Sequence, residues 1–223
     1  HVKGNKAEGA NGGAVFLAYR ADNKAEATFD KVFFERNEAA NGGAIYVDAI
    51  GDPSRNTINI TNSTFTENEA TVSGNAITTA SGKNVRINII NSLFFENENG
   101  NKAAVDLSNH RGSTYVLNST FIGNDVAFEF GVEPARFALH NSVVSDGIEG
   151  TLSGSRNLQA GYNLLEDDLK CRSSGGSSGF CAREADHNEF LDADSIRTEL
   201  HEASLTEMEP CVEDDEDCLK QKR

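Results

Sequence analysis

An all-β, parallel β-solenoid of about five to six coils over residues 1–168 is predicted by three features. One side-chain pattern recurs in register, apolar residues alternate strictly within each copy, and glycine pairs recur at one fixed place. The copies read KVFFERN, NSTFTEN, NSLFFEN, NSTFIGN and NSVVSDG, and with a partial copy at Val2 and Asn5 they fall 23 to 32 residues apart. A unit of that length cannot bury its own apolar edge, so its neighbours must cover it.

Each copy can be numbered from Lys31, Asn62, Asn91, Asn118 and Asn141. Two residues earlier stand Phe29, Ile60, Ile89, Val116 and Leu139, and four earlier stand Ala27, Ile58, Ile87, Thr114 and Phe137. Such alternation marks a strand with one buried face. Three residues later comes a second apolar column, Phe34, Phe65, Phe94, Phe121 and Val144. Six later come Asn37, Asn68, Asn97, Asn124 and Gly147, and stacked Asn side chains pass hydrogen bonds from turn to turn. A ladder at a corner is therefore expected.

A second strand begins at Ala14, Ala44, Ala76, Ala104 and Ala127. Its inward residues are Val15, Ile45, Ile77, Val105 and Phe128, then Leu17, Val47, Thr79, Leu107 and Phe130. Between them Phe16, Tyr46, Thr78, Asp106 and Glu129 share no chemistry, which assigns them to the outer face. Gly12-Gly13, Gly42-Gly43 and Gly74-Asn75 precede this strand and suit a tight corner with positive φ. Lys102-Ala103 and Asp125-Val126 replace them later, so that corner is predicted to change shape. A β-sandwich does not require matched columns at this period, and a leucine-rich repeat would show Leu where this chain has Phe and Asn.

With GGAV at Gly12, GGAI at Gly42 and FxxN at Phe34, Phe65, Phe94 and Phe121, the chain resembles secreted and surface-displayed right-handed parallel β-helices of bacteria. It is similar to the repeats of chlamydial polymorphic outer membrane proteins and related autotransporter passengers. GYNLLEDD at residues 161–168 is similar to a segment that closes the helix in large secreted β-helix proteins. The resemblance implies right-handed winding and an extracellular or outer-membrane-surface location. It also implies a choice between adhesion and polysaccharide degradation, since the family contains both.

The formal charge of −15 is concentrated: residues 184–217 hold fourteen acids and the single base Arg197. The near-neutral remainder offers no basic stripe for phosphate backbones, so nucleic acid is not an expected partner. No run of 18 apolar residues exists to span a bilayer as a helix, and no signal-peptide pattern opens the chain. Because Val2 and Asn5 already occupy repeat positions, the chain starts partway through a coil. That predicts either removal of an upstream part or completion of the open end by another chain.

Residues 169–223 are expected to form an acidic, partly helical cap. Their cysteines, Cys171, Cys181, Cys211 and Cys218, allow three pairings, of which Cys171–Cys181 and Cys211–Cys218 close the shortest loops. A zinc site would need closer spacing than these show, so disulfides and an oxidising compartment are the reading. Residues 185–207 read as a helix with Phe190, Leu191, Ile196, Leu200 and Leu205 on one stripe and Asp194 or Ser195 at its start, folded over the last coil.

Asp106 and Glu129 share an outer column and are the catalytic candidates, as the acids of a glycoside hydrolase or polysaccharide lyase. Phe16 and Tyr46 share that column and could stack on a sugar or pack against a partner protein, unless the loop at residues 50–56 covers them. Glu67 and Glu96 lie one turn apart and could share a cation, but a third carboxylate is missing at Gly123. No cofactor is expected. The preferred function is non-catalytic, binding a surface glycan or partner protein; the alternatives are a carbohydrate-active enzyme and a head-to-tail filament joined through open coil ends.

Overall fold

A computed structural model of the chain describes residues 1–20, 25–50, 56–80, 85–132, 134–150, 158–166 and 188–191. Within them the helices and strands are all strands, and each run of alternating apolar residues lies parallel to the same run in the next turn. The first sheet has eight strands: Val2–Lys3, Phe33–Glu35, Thr64–Thr66, Leu93–Phe95, Thr120–Ile122, Val143–Val144, Leu164–Glu166 and Glu189–Leu191. The second has three: Lys6–Asn11, Glu38–Asn41 and Glu69–Ser73. The third has six: Val15–Arg20, Ile45–Ile50, Ile77–Thr79, Ala103–Asp106, Val126–Phe130 and Gly147–Gly150. The fourth also has six: Glu26–Asp30, Thr57–Thr61, Arg86–Ile90, Ser113–Leu117, Arg136–His140 and Leu158–Gly161. The chain passes from the first sheet to the fourth in each early turn and then starts again, which makes it a parallel β-solenoid.

The sequence columns are the register of these sheets. Ile60 pairs with Phe29 and Ile89, and Ile45 with Val15 and Ile77. Phe34, Phe65, Phe94 and Phe121 form a stack with ring centroids 4.7, 4.6 and 4.6 Å apart, each 1 % exposed or less. Burying each ring stabilises the fold by roughly 1.5–3 kcal/mol before entropy is subtracted. Where this column continues as Val144 and Leu165, Phe128, Phe130 and Phe137 enter the core from the third and fourth sheets. The lost ring volume is thereby replaced.

The glycine corner has a steric cause. Gly42 has φ +61°, and a Cβ on Gly43 would stand 2.2 Å from the Asn75 carbonyl oxygen. The predicted change of shape comes at Lys102-Ala103 and Asp125-Val126, whose turns give the second sheet no strand, and Asn75 stands at the junction. Its Oδ1 accepts from the Ala70 amide, while its Nδ2 donates to the Asn97 and Lys102 carbonyls. One buried amide thus satisfies the backbone where a strand is missing.

Two ladders hold the corners. Asn5, Asn37, Asn68 and Asn97 each donate both the backbone N–H and Nδ2 to Oδ1 of the next Asn, ending on Asn124. The next member is Asp146, not Gly147, because Asn124 Nδ2 reaches its carboxylate at 2.6 Å. The second ladder was not expected: backbone N–H groups of Val32, Ser63, Ser92, Ser119, Ser142 and Asn163 donate to the side-chain oxygen one turn on, the last of them to Asn188. The residues from which the copies are numbered, Lys31, Asn62, Asn91, Asn118 and Asn141, adopt φ of 49 to 56° at that corner.

The helix predicted over residues 185–207 is replaced by a strand at Glu189–Leu191, which pairs Glu189, Phe190 and Leu191 with Leu164, Leu165 and Glu166. Phe190 takes the register of the apolar column, and Asn188 accepts the corner bonds from Asn163. A short apolar run does not by itself distinguish strand from helix, and here the ladder decides. One strand of the stack therefore comes from beyond residue 168. Cys171, Cys181, Cys211 and Cys218, the Gly/Ser stretch before Cys181 and the rest of the expected helix lie outside the described residues.

At the other end, Val2–Lys3, Lys6–Asn11, Val15–Arg20 and Glu26–Asp30 are the edge strands of all four sheets. Val2, Val15, Leu17, Ala27 and Phe29 are only partly buried there, whereas Phe34, Ile45, Val47, Ile58 and Ile60 in the next turn are 2 % exposed or less.

Candidate functional site

The third sheet carries the outer column in which the sequence places its candidates. Register runs Phe16, Tyr46, Thr78, Asp106, Glu129 and Glu149, one residue per turn. The column is aromatic at one end and acidic at the other, and Glu149 was not anticipated because its turn lacks the repeated Ala.

Phe16 and Tyr46 stack with centroids 5.4 Å apart and planes 26° from parallel. Phe16 is 50 % exposed, an unusual position for a large ring unless something packs on it. Tyr46 is half-buried, and burial, with the nearby Asp48, pushes its phenol above the usual tyrosine range. Of the loop expected to cover the pair, residues 51–55 lie outside the described residues.

Thr78 and Asp106 are each 4 % exposed, which corrects their assignment to a solvated face. Thr78 Oγ1 donates to the Ser73 carbonyl at 2.8 Å, turned onto the preceding corner. Asp106 Oδ1 accepts the Ser108 amide at 2.7 Å, so the chain folds back over it. Glu129 is half-buried. Burial raises its carboxyl above the usual range, the charges of Asp106 and Glu149 add to this, and the Ser108 side chain opposes it.

Asp106 and Glu129 occupy neighbouring strands, about 4.8 Å apart in backbone spacing. Access is what Asp106 lacks. A nucleophilic carboxylate must reach a sugar carbon, and Asp106 is covered and turned to its own backbone. A shallow depression lined by Lys6, Glu8, Glu38 and Thr71 lies on the second sheet, away from both acids.

Glu67 and Glu96 do lie one turn apart, both at φ 52°. Glu67 is held by Arg36, with Nε–Oε2 at 2.6 Å and Nη2–Oε1 at 3.1 Å. Among the described residues no group of three or more His, Cys, Asp or Glu is arranged to hold a metal ion. No helix among them is long and apolar enough to cross a membrane.

Sequence reasoning gave His110 no role. It is 1 % exposed, with neither ring nitrogen in a hydrogen bond to a described residue. Burial pushes its pKa down to about 4, against a smaller opposing pull from the Ser113 backbone. Its only sequence signal is a place in the short return between the third and fourth sheets.

Comparison with protein-family models, curated proteins and solved structures finds no match to this chain.

Proposed function

We propose that the chain is a non-catalytic, secreted or cell-surface β-helix of right-handed winding whose lateral face binds a glycan or partner protein, in adhesion or extracellular assembly. The observation that carries this reading is the stacked pair of half-exposed Phe16 and partly buried Tyr46 on the outer face of the third sheet. Aromatic faces of that kind pack on the C–H faces of sugars and on apolar protein surface. The enzyme reading has Asp106 and Glu129 on adjacent strands but an inaccessible Asp106. The cysteines at 171, 181, 211 and 218 complete the proposal as disulfides of an acidic C-terminal cap, which fits an extracytoplasmic location.

A panel of polysaccharides assayed for both retention and cleavage tests this. Binding without new reducing ends or unsaturated products is the expected result. Turnover abolished by Asp106→Ala or Glu129→Ala would replace the binding reading with the enzyme.

A further inference from the structure

The outer face of the fourth sheet carries a second arrangement, on different residues from the aromatic pair. Arg86, Ser113 and Arg136 share one register column on three successive strands, with Tyr115 two residues beyond Ser113. Both guanidinium carbons stand 5.6 Å from the centre of the Tyr115 ring. The two positive charges are therefore no farther apart than twice that distance, with the Ser113 position between them.

Like charges gathered on one ring normally have a carboxylate to offset them. Here neither arginine has an ion-pair partner among the described residues. Arg136 donates one Nη2 bond to Gln159 Oε1, and Arg86 is exposed. The acids of this face, Glu26 and Asp30, sit on its first strand and are engaged by Asn59 and by Thr61 and Asn62. The strands from Arg86 onward contribute none to the outer face. What remains is a planar floor with two guanidinium forks whose free N–H groups match the oxygens of a carboxylate or sulfate.

We infer that this face binds the anionic groups of an acidic polysaccharide, with Arg86 and Arg136 donating to carboxylate or sulfate oxygens across Ser113. Two cations suit a polymer that carries an anion only on some of its units. A nucleic acid would need many phosphate contacts at once, which two cations do not supply. The neighbouring amides of Asn88 and Gln159 offer donors and acceptors to sugar hydroxyls.

Calorimetric titration of the full chain with an oligogalacturonide, a sulfated glycosaminoglycan oligosaccharide and a neutral gluco-oligosaccharide of matched length tests the inference. At least one acidic ligand should bind, the neutral one should not bind at this face, and added salt should weaken the acidic complex. Arg86→Gln and Arg136→Gln should each lower that affinity about tenfold, the loss expected for a charged hydrogen bond, while Val72→Ala, an exposed residue of the second sheet, leaves it unchanged. Which acidic ligand binds decides between carboxylate and sulfate. The inference is overturned if neither acidic ligand binds, if the arginine variants bind as tightly as the parent chain, or if a DNA oligonucleotide competes equally. An acidic ligand whose affinity falls with Phe16→Ala but not with the arginine variants is held by the aromatic pair, which overturns this inference and leaves the proposed function standing.

Discussion

Asn124 donates its side-chain N–H to Asp146 Oδ2 at 2.6 Å, the last bond of the corner ladder among the described residues. An Asn both accepts from the turn before and donates to the turn after, so an interior position requires an amide. A carboxylate only accepts. Asp is tolerated here because no described residue of a later turn draws a bond from it, although burial raises its carboxyl above the usual range.

Interior members should be intolerant of the same change. Asn97→Ala would leave the Asn68 donors and the Phe65 carbonyl without partners in a buried corner. A loss of about 3 kcal/mol is expected in denaturant unfolding, given about 1–3 kcal/mol per buried unsatisfied group. Asn97→Asp should cost at least as much at neutral pH, since it adds a buried charge without the donor. Equal stability of Asn97→Asp and the parent chain would show that the ladder bonds contribute nothing.

The ring stack makes a second prediction. Phe94 lies between Phe65 and Phe121 and is fully buried. Phe94→Ala should destabilise by about 3–5 kcal/mol. Phe16→Ala, on the exposed outer face, should fall within about 0.5 kcal/mol of the parent chain, and thermal melts compare the two directly.

Acid should weaken the fold through His110. Its folded pKa, about 4, lies below the value near 6.5 of an unfolded histidine, so the unfolded state binds the proton more readily. This contribution is complete above about pH 6.5 and falls away as pH drops toward 4, by at most about 3 kcal/mol. His110→Phe should flatten the pH dependence of unfolding over that window. An unchanged slope would show that the ring is already solvated or paired.

Glu129 has the opposite sign. Its raised carboxyl favours the protonated form in the fold, so its contribution is greatest below the unfolded carboxylate range and is lost as pH rises through the folded value. Because the side chain is substantially exposed, Glu129→Gln should stabilise by no more than about 0.5 kcal/mol at neutral pH, with no gain in acid. Urea unfolding at two pH values measures this.

The columns were legible in the sequence because stacking demands the same side chain at the same place in each turn, as Phe34, Phe65, Phe94 and Phe121 show. The Ser ladder was visible only as the residue after each numbered Asn, and its bonds run from backbone N–H groups that carry no sequence signal. Glu189–Leu191 misled because Phe190 and Leu191 fit a helical stripe as well as a strand; Asn188, one residue earlier, is what continues the corner. Outer positions follow no such rule. Asp106 is buried by a return of its own backbone, and Arg86 and Arg136 meet over Tyr115 only because a single strand lies between theirs.

The central claim is that the Phe16–Tyr46 face binds without catalysing. Aromatic ring resonances of the two residues, followed by NMR during titration with neutral and acidic oligosaccharides and with candidate partner proteins, test it most directly. The account predicts saturable shifts of both rings with one ligand class, about tenfold weaker binding in Phe16→Ala, and a ligand recovered intact. Rings that do not respond to any ligand, or a ligand cleaved by the parent chain but not by Glu129→Gln, would contradict it.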